Sequence, residues 1–231
     1  MGNVLQFFLW TIYPYLALAS FFIGIIVRFK WFPYQITAKS SEIMERKQLI
    51  IGSICFHIGI IMVFFGHVAG IIIPKAWTDG LGISNEQYHV FAMVMGGIAG
   101  VLALVGMLIL TFRRFTNKRV FAMSSLSDLI VNLSLLTEMI LGMCSSFIAG
   151  PLNPSFNYRT SLAIWFRQIW VLQPDWHLML NVPTLFKIHV FVGFLIFMFF
   201  PYTRLIHAIA LPYQYLYRRF IVYRRKPRIE G

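Results

Sequence analysis

The sequence predicts an all-α membrane protein, a single domain over residues 1–231 built as a five-helix transmembrane bundle. Three observations carry this. Of the 231 residues, 58% are hydrophobic and only 12% charged, against about 45–50% and about 25% in soluble domains. That leaves too little polar surface to clothe a core in water, and too apolar a chain for disorder. Five apolar stretches are each long enough, at about 20 helical residues, to cross a hydrocarbon core of about 30 Å. Finally, Lys plus Arg number 20 against 8 Asp plus Glu, a net charge of +12, and these cations are sorted by side.

The first stretch covers about residues 4–27 and is closed by Arg28 and Lys30. It has no basic n-region and no clear small-x-small cleavage site, so a retained span is expected rather than a cleaved signal. The second covers about 49–73 and stops before Pro74; the third, about 90–112, is closed by Arg113 and Arg114. The fourth covers about 126–149 and stops before Pro151. The fifth, about 183–211, opens on Pro183, whose missing N–H costs nothing in a first helical turn. A basic tail, 212–231, follows. Pro33 and Pro174 punctuate further loops. No internal repeat or low-complexity linker interrupts this plan.

Alternate connections fall on alternate sides. Of the 20 cations, 16 fall on one side, in the first loop, the third loop and the C-terminal end; Lys75, Arg159, Arg167 and Lys187 make up the other four. The positive-inside rule places the N-terminus outside and the C-terminus in the cytoplasm. The positive charge thus belongs beside a membrane, and no nucleic-acid partner is expected. The basic tail, Arg218 through Arg228, is a candidate to dock a peripheral subunit or anionic lipid headgroups, besides marking topology. Trp10, Trp31, Tyr34, Trp77, Trp165, Trp170 and Trp176 fall near the span ends, as an interfacial aromatic belt. Cys55 and Cys144 lie in apolar stretches without metal or haem-attachment spacing and are expected as buried thiols.

Four of the six histidines fall inside spans: His57 and His67 in the second, His189 and His207 in the fifth. Ionisable groups are costly there and mark function, and neutral imidazole is a common metal ligand. Two helices with two histidines each supply two bis-histidine haem sites. The second span runs inside to outside and the fifth runs back. His67 is therefore expected to meet His189 near the outer face, and His57 to meet His207 near the inner face. The rises are unequal: 10 residues give about 15 Å and 18 residues about 27 Å along a straight helix. Tilt of the long fifth span and a kink at Pro201 are the candidates to reconcile them. Gly52, Gly59, Gly66 and Gly70 line the second span and Gly193 follows His189. They suit either close approach of a flat macrocycle or close helix packing.

Several segments are familiar in order along nearly the whole chain. They are Ile12-Tyr13-Pro14-Tyr15, Ala38-Lys39-Ser40-Ser41, Phe56-His57-Ile58-Gly59 and Gly66-His67-Val68-Ala69-Gly70. Gly96-Gly97-Ile98-Ala99-Gly100, Lys187-Ile188-His189 with Gly193, and Pro201-Tyr202-Thr203-Arg204-Leu205-Ile206-His207 follow. In these the chain resembles the gamma subunit family of bacterial respiratory nitrate reductase, the membrane cytochrome b of that complex.

The resemblance implies two haem b groups and a quinol dehydrogenase of the bacterial inner membrane. Menaquinol or ubiquinol is oxidised near the outer haem, and electrons pass to an iron–sulfur beta subunit and on to a molybdenum alpha subunit that reduces nitrate. By motif, His67 and His189 hold the outer haem iron and His57 and His207 the inner one. The quinol site falls by Gly66, Gly70 and the start of the third span. Some family members carry a lysine just before that span; here the stretch is Ser84-Asn85-Glu86-Gln87-Tyr88-His89-Val90. His89, Tyr88 and Glu86 are the candidates to replace it. Arg204, Arg113 and Arg114 are candidates to pair with haem propionates, beside their topological duty. His177, in the last outer loop, is expected to be solvated.

Two other readings stand beside this one. Related cytochromes b serve heterodisulfide and sulfur-metabolism reductases, and a haem-free anchor would use its histidines for polar contacts. Topology is tested first. A fluorescent-protein fusion at the C-terminus is expected to fluoresce, and an alkaline phosphatase fusion there to be inactive. The reverse pattern inverts the orientation.

Overall fold

A computed structural model describes residues 2–32 and 41–210. Pro33, Tyr34, Lys39 and the basic tail lie outside these residues. All regular structure among the described residues is helical. The long helices are α1 (Gly2–Trp31), α2 (Lys47–Ile72), α4 (Asn85–Thr116) and α6 (Leu126–Leu152). The short helices α3 (Lys75–Gly80), α5 (Lys118–Ala122) and α7 (Leu162–Trp170) lie in connections, and α8 covers Thr184–Phe199. With the turn that follows α8, five segments are long and apolar enough to cross a membrane.

Local chemistry sets the ends. Ser84 accepts from the Gln87 N–H while Gln87 reaches back to the Ser84 N–H. This capping box starts α4 five residues before its apolar run, so the helix spans 32 residues, about 48 Å. Ser125 and Asp128 start α6 the same way. The fifth span is not one helix to residue 211, as its apolar run suggested. α8 stops at Phe199, and 3-10 turns follow over Phe200–Tyr202 and Arg204–Ala208. Pro201 has no N–H to give and crowds the carbonyl four residues back, and Thr203 then adopts an extended conformation (φ −118°, ψ 177°). The straight-helix rise between His189 and His207 therefore does not apply.

α2 packs along α4 more extensively than any other pair of helices, whereas α8 lies against α1 and α6. The glycines explain the first contact. A Cβ at Gly59 would stand 2.3 Å from the Ala103 backbone nitrogen, and one at Gly106 2.3 Å from that of Phe56. Gly52 is similarly tight against Ile109 and Leu110. The two backbones thus touch because the side chains are missing. Large apolar residues such as Phe64, Phe65, Phe91 and Phe112 face outward, as lipid contact requires.

The end that carries Gly2 is closed by a packed cap. Trp165 of α7 is fully buried and donates from Nε1 to the Trp10 carbonyl at 2.7 Å. Its ring meets Trp10 edge-on and Phe194 beyond. Trp10 and Trp165 are therefore core residues, not interfacial anchors, because their neighbours leave neither ring a free edge. Trp31, Trp77 and Trp170 are exposed, as a belt requires. Tyr13 donates to the Phe191 carbonyl and Ser20 to that of Met198, tying α1 to α8.

At the opposite end Arg113, 3% exposed, commits four of its guanidinium N–H groups to the segment before α2. They reach Glu45 Oε2, Ser41 Oγ and the carbonyls of Ser41 and Glu45. The Gln48 backbone N–H, and then Arg113, hold the Glu45 carboxyl below its usual range.

Gly59→Ala is expected to cost about 1–3 kcal/mol by overpacking against backbone that has no room to yield. Gly96→Ala, whose Cβ meets nothing within 4 Å, is the neutral control. Unfolding equilibria in detergent micelles or bicelles distinguish the two.

Candidate functional site

The histidines of α2 meet those of the fifth span in two pairs. The His67 and His189 ring centres are 6.1 Å apart, and those of His57 and His207 are 6.4 Å apart. His67 and His189 lie toward the Trp165 end, and His57 and His207 toward the Arg113 end. The break after Phe199 is what lets His207 come to His57.

Each ring has one nitrogen already engaged. His57 Nδ1 lies 2.7 Å from the Ser53 carbonyl and His67 Nδ1 2.8 Å from the Val63 carbonyl, each one turn back on its own helix. His207 Nδ1 meets the Arg204 carbonyl. A carbonyl only accepts, so these three Nδ1 atoms carry the proton and Nε2 keeps its lone pair. His189 Nδ1 instead lies 3.0 Å from Glu138 Oε1 on α6. That contact is close but off the N–H direction, so it is chiefly electrostatic.

This arrangement fits haem on two counts. An iron between two imidazoles, at metal–nitrogen bonds of about 2 Å with ring nitrogens about 1.1 Å from ring centres, sets centroids about 6.3 Å apart. Both pairs match. Among the described residues no group of three His, Cys, Asp or Glu converges. Two neutral imidazoles are few ligands for a protein-held zinc, but they complete an iron whose other four positions a porphyrin fills. The rings of His57, His67 and His207 border open space, and a Cβ at Gly66 would meet nothing within 4 Å. The glycines thus divide: Gly52 and Gly59 serve packing, and Gly66 borders open space.

Gly70 lies beneath a polar cluster. A Cβ there would stand 3.4 Å from the Tyr158 hydroxyl and 3.6 Å from that of Tyr88. Tyr88 donates to the Ala69 carbonyl at 3.3 Å. The Arg159 guanidinium lies 3.8 Å over the Tyr88 ring and donates to Thr78 Oγ1. Arg159 is 5% exposed, and its Nε is buried without a hydrogen-bond partner. Burial pushes the Tyr158 phenol above its usual range, so it remains a hydroxyl at any physiological pH. His89 and Glu86 are exposed near the start of α4; they lie one and two residues from Tyr88, about 100° and about 200° around the helix, which turns them away from Gly70.

At the other end Arg204 pairs with Asp128 at 3.3 Å. Arg114 donates to Ser124 Oγ, while its Nε is buried without a hydrogen-bond partner. Arg113 is occupied by Glu45 and Ser41, which turns it from a haem-facing candidate into an anchor of the loop. His177 is exposed beside Asp175, as expected, and neither cysteine forms a disulfide.

Sequence reading missed Glu138, Tyr158 and Arg159. Glu138 was the most accessible to it, being an acidic residue in the middle of an apolar span. Tyr158 and Arg159 sit in a long connection where nothing in the residue pattern points back to Gly70.

Comparison with known proteins identifies the family. The family model for the nitrate reductase gamma subunit matches residues 6–226. The nitrate reductase gamma chain of Bacillus subtilis is 43% identical over 218 residues, covering 94% of this chain and 97% of that one. The respiratory nitrate reductase 2 gamma chain of Escherichia coli is 35% identical over 227 residues, covering 98% and 100%. The nitrate reductase-like protein NarX of Mycobacterium tuberculosis is 36% identical over 226 residues, covering 97% of this chain but 35% of its own length. Five membrane-length helices, paired histidines and end-to-end similarity together make this chain a member of the nitrate reductase gamma subunit family.

Proposed function

We propose that this chain is the di-haem quinol-oxidising subunit of a respiratory nitrate reductase in the bacterial inner membrane. The observation that carries the reading is the pair of cross-helix histidine couples, each at the spacing a bis-imidazole iron needs. His67 and His189 would hold the outer haem, and His57 and His207 the inner one. When bound, the two haems supply one-electron steps between quinol and the partner subunits. Held by two histidines each, such groups would suit electron transfer rather than oxygen binding.

The protein's own residues do the rest. The Ser53, Val63 and Arg204 carbonyls fix the tautomer of three ligands and aim Nε2 across the gap. Gly66 leaves room beside His67, and Tyr88 and Tyr158 aim hydroxyls over Gly70. A menaquinol or ubiquinol hydroxyl held there gives up its proton toward the outer face. Tyr88, rather than the outward-turned His89, would take the place that a lysine fills in some relatives. Arg159 keeps the cluster cationic, which favours loss of that proton. Near the inner pair, Arg114 and Arg204 are placed to meet haem propionates. An iron–sulfur beta subunit would dock at this cytoplasmic end, and a molybdenum alpha subunit would reduce the nitrate. The family match favours these partners over those of a sulfur-metabolism reductase.

Reduced-minus-oxidised spectra of the purified chain are expected to show b-type bands with two haems per chain; spectra without them overturn the reading in favour of a haem-free anchor. His67→Ala and His189→Ala are expected to lose the same haem and to stop reduction of the other by quinol. His57→Ala and His207→Ala are expected to lose the second haem while quinol still reduces the first. Loss patterns that do not match within a pair refute the pairing.

A further inference from the structure

We propose that Glu138 is a positioning residue for the outer haem: its carboxylate holds the His189 ring and holds down that haem's reduction potential. The proposal rests on the ligand role given to His189 above. Three of the four rings lean on a neutral carbonyl from their own stretch of chain. His189 alone faces a carboxylate, and one that comes from another helix.

The two helices are shaped for this contact. On α8, Gly193 follows His189 by one turn, and a Cβ there would stand 3.1 Å from Glu138 Oε1. On α6, Gly142 follows Glu138 by one turn, and a Cβ there would stand 3.1 Å from His189 Cε1. Each helix thus gives up a side chain where the other presents its polar group. Glu138 is 13% exposed, and its Oε2 is buried without a hydrogen-bond partner. Among the described residues no Lys or Arg pairs with it. A buried carboxylate without a counter-charge is costly.

A ferric bis-imidazole porphyrin carries one net positive charge and its ferrous form none, so the carboxylate is matched only in the oxidised state. A carboxylate 3.0 Å from a ligand's second nitrogen also raises that ligand's basicity through its charge. Both effects favour the ferric form. Among the described residues no carboxylate pairs with His57 or His207, so the device is confined to the haem that receives electrons first.

The test is a redox titration of the assembled complex, with the outer haem assigned by its absence in His67→Ala. Glu138→Gln keeps the shape and removes the charge. It is expected to raise the outer midpoint by about 59 mV, tenfold in the reduced-to-oxidised ratio of a one-electron couple. The low-spin EPR signal of that haem should shift with it, and the inner midpoint should stay. An unchanged outer midpoint, or equal movement of both haems, overturns the proposal while leaving the di-haem reading intact. A wild-type complex with no haem overturns both. If Glu138→Gln loses the outer haem, Glu138→Asp decides. A retained haem near the wild-type midpoint upholds the charge, and its loss in that variant too leaves only a packing role and overturns the proposal.

Discussion

Everything at the centre of this bundle follows from what a membrane does to an imidazole. Water is absent, so a ring nitrogen must find its partner within the protein or on a ligand. Three of the four paired rings spend Nδ1 on a backbone carbonyl a turn away. That leaves Nε2 of each of these rings with a free lone pair. The same constraint that makes these histidines expensive makes them directional.

The helices are arranged to keep that direction open. α2 is pressed onto α4 by glycines at Gly52, Gly59 and Gly106, while α8 is held to α1 by Tyr13, Ser20 and the aromatic stack around Phe194 and lies against α6. The two histidine-bearing segments therefore belong to different packed groups. They face one another through ring pairs rather than through extensive side-chain packing. Rigidity comes from the flanks, and the middle is left to chemistry. The cap built on Trp165 and the Arg113 anchor close the two ends.

Much of this was legible in the residues. The five spans follow from apolar length, and the pairing of His67 with His189 and His57 with His207 follows from helix direction. The helix ends were misjudged where a cap or a proline intervened. The Ser84–Gln87 box lengthens α4, and Pro201 with Thr203 ends α8 early. Trp165 read as an interfacial anchor because composition cannot tell a ring in lipid headgroups from a ring buried under a loop helix. Arg113 read as a haem-facing cation because its partners, Ser41 and Glu45, lie about 70 residues away in sequence.

By itself the sequence determined that this chain carries five segments long and apolar enough to cross a membrane, and which four histidines fall in or beside them. Those conclusions depend on local quantities: apolar run length, cation placement, and the cost of an ionisable group in each run. Only the tertiary structure decided that Tyr88 rather than His89 faces Gly70, and that Glu138 rather than a carbonyl stands beside His189. Each of these depends on the rotation of one helix against another. A rotation of about 100° per residue changes a neighbour completely while leaving hydropathy untouched.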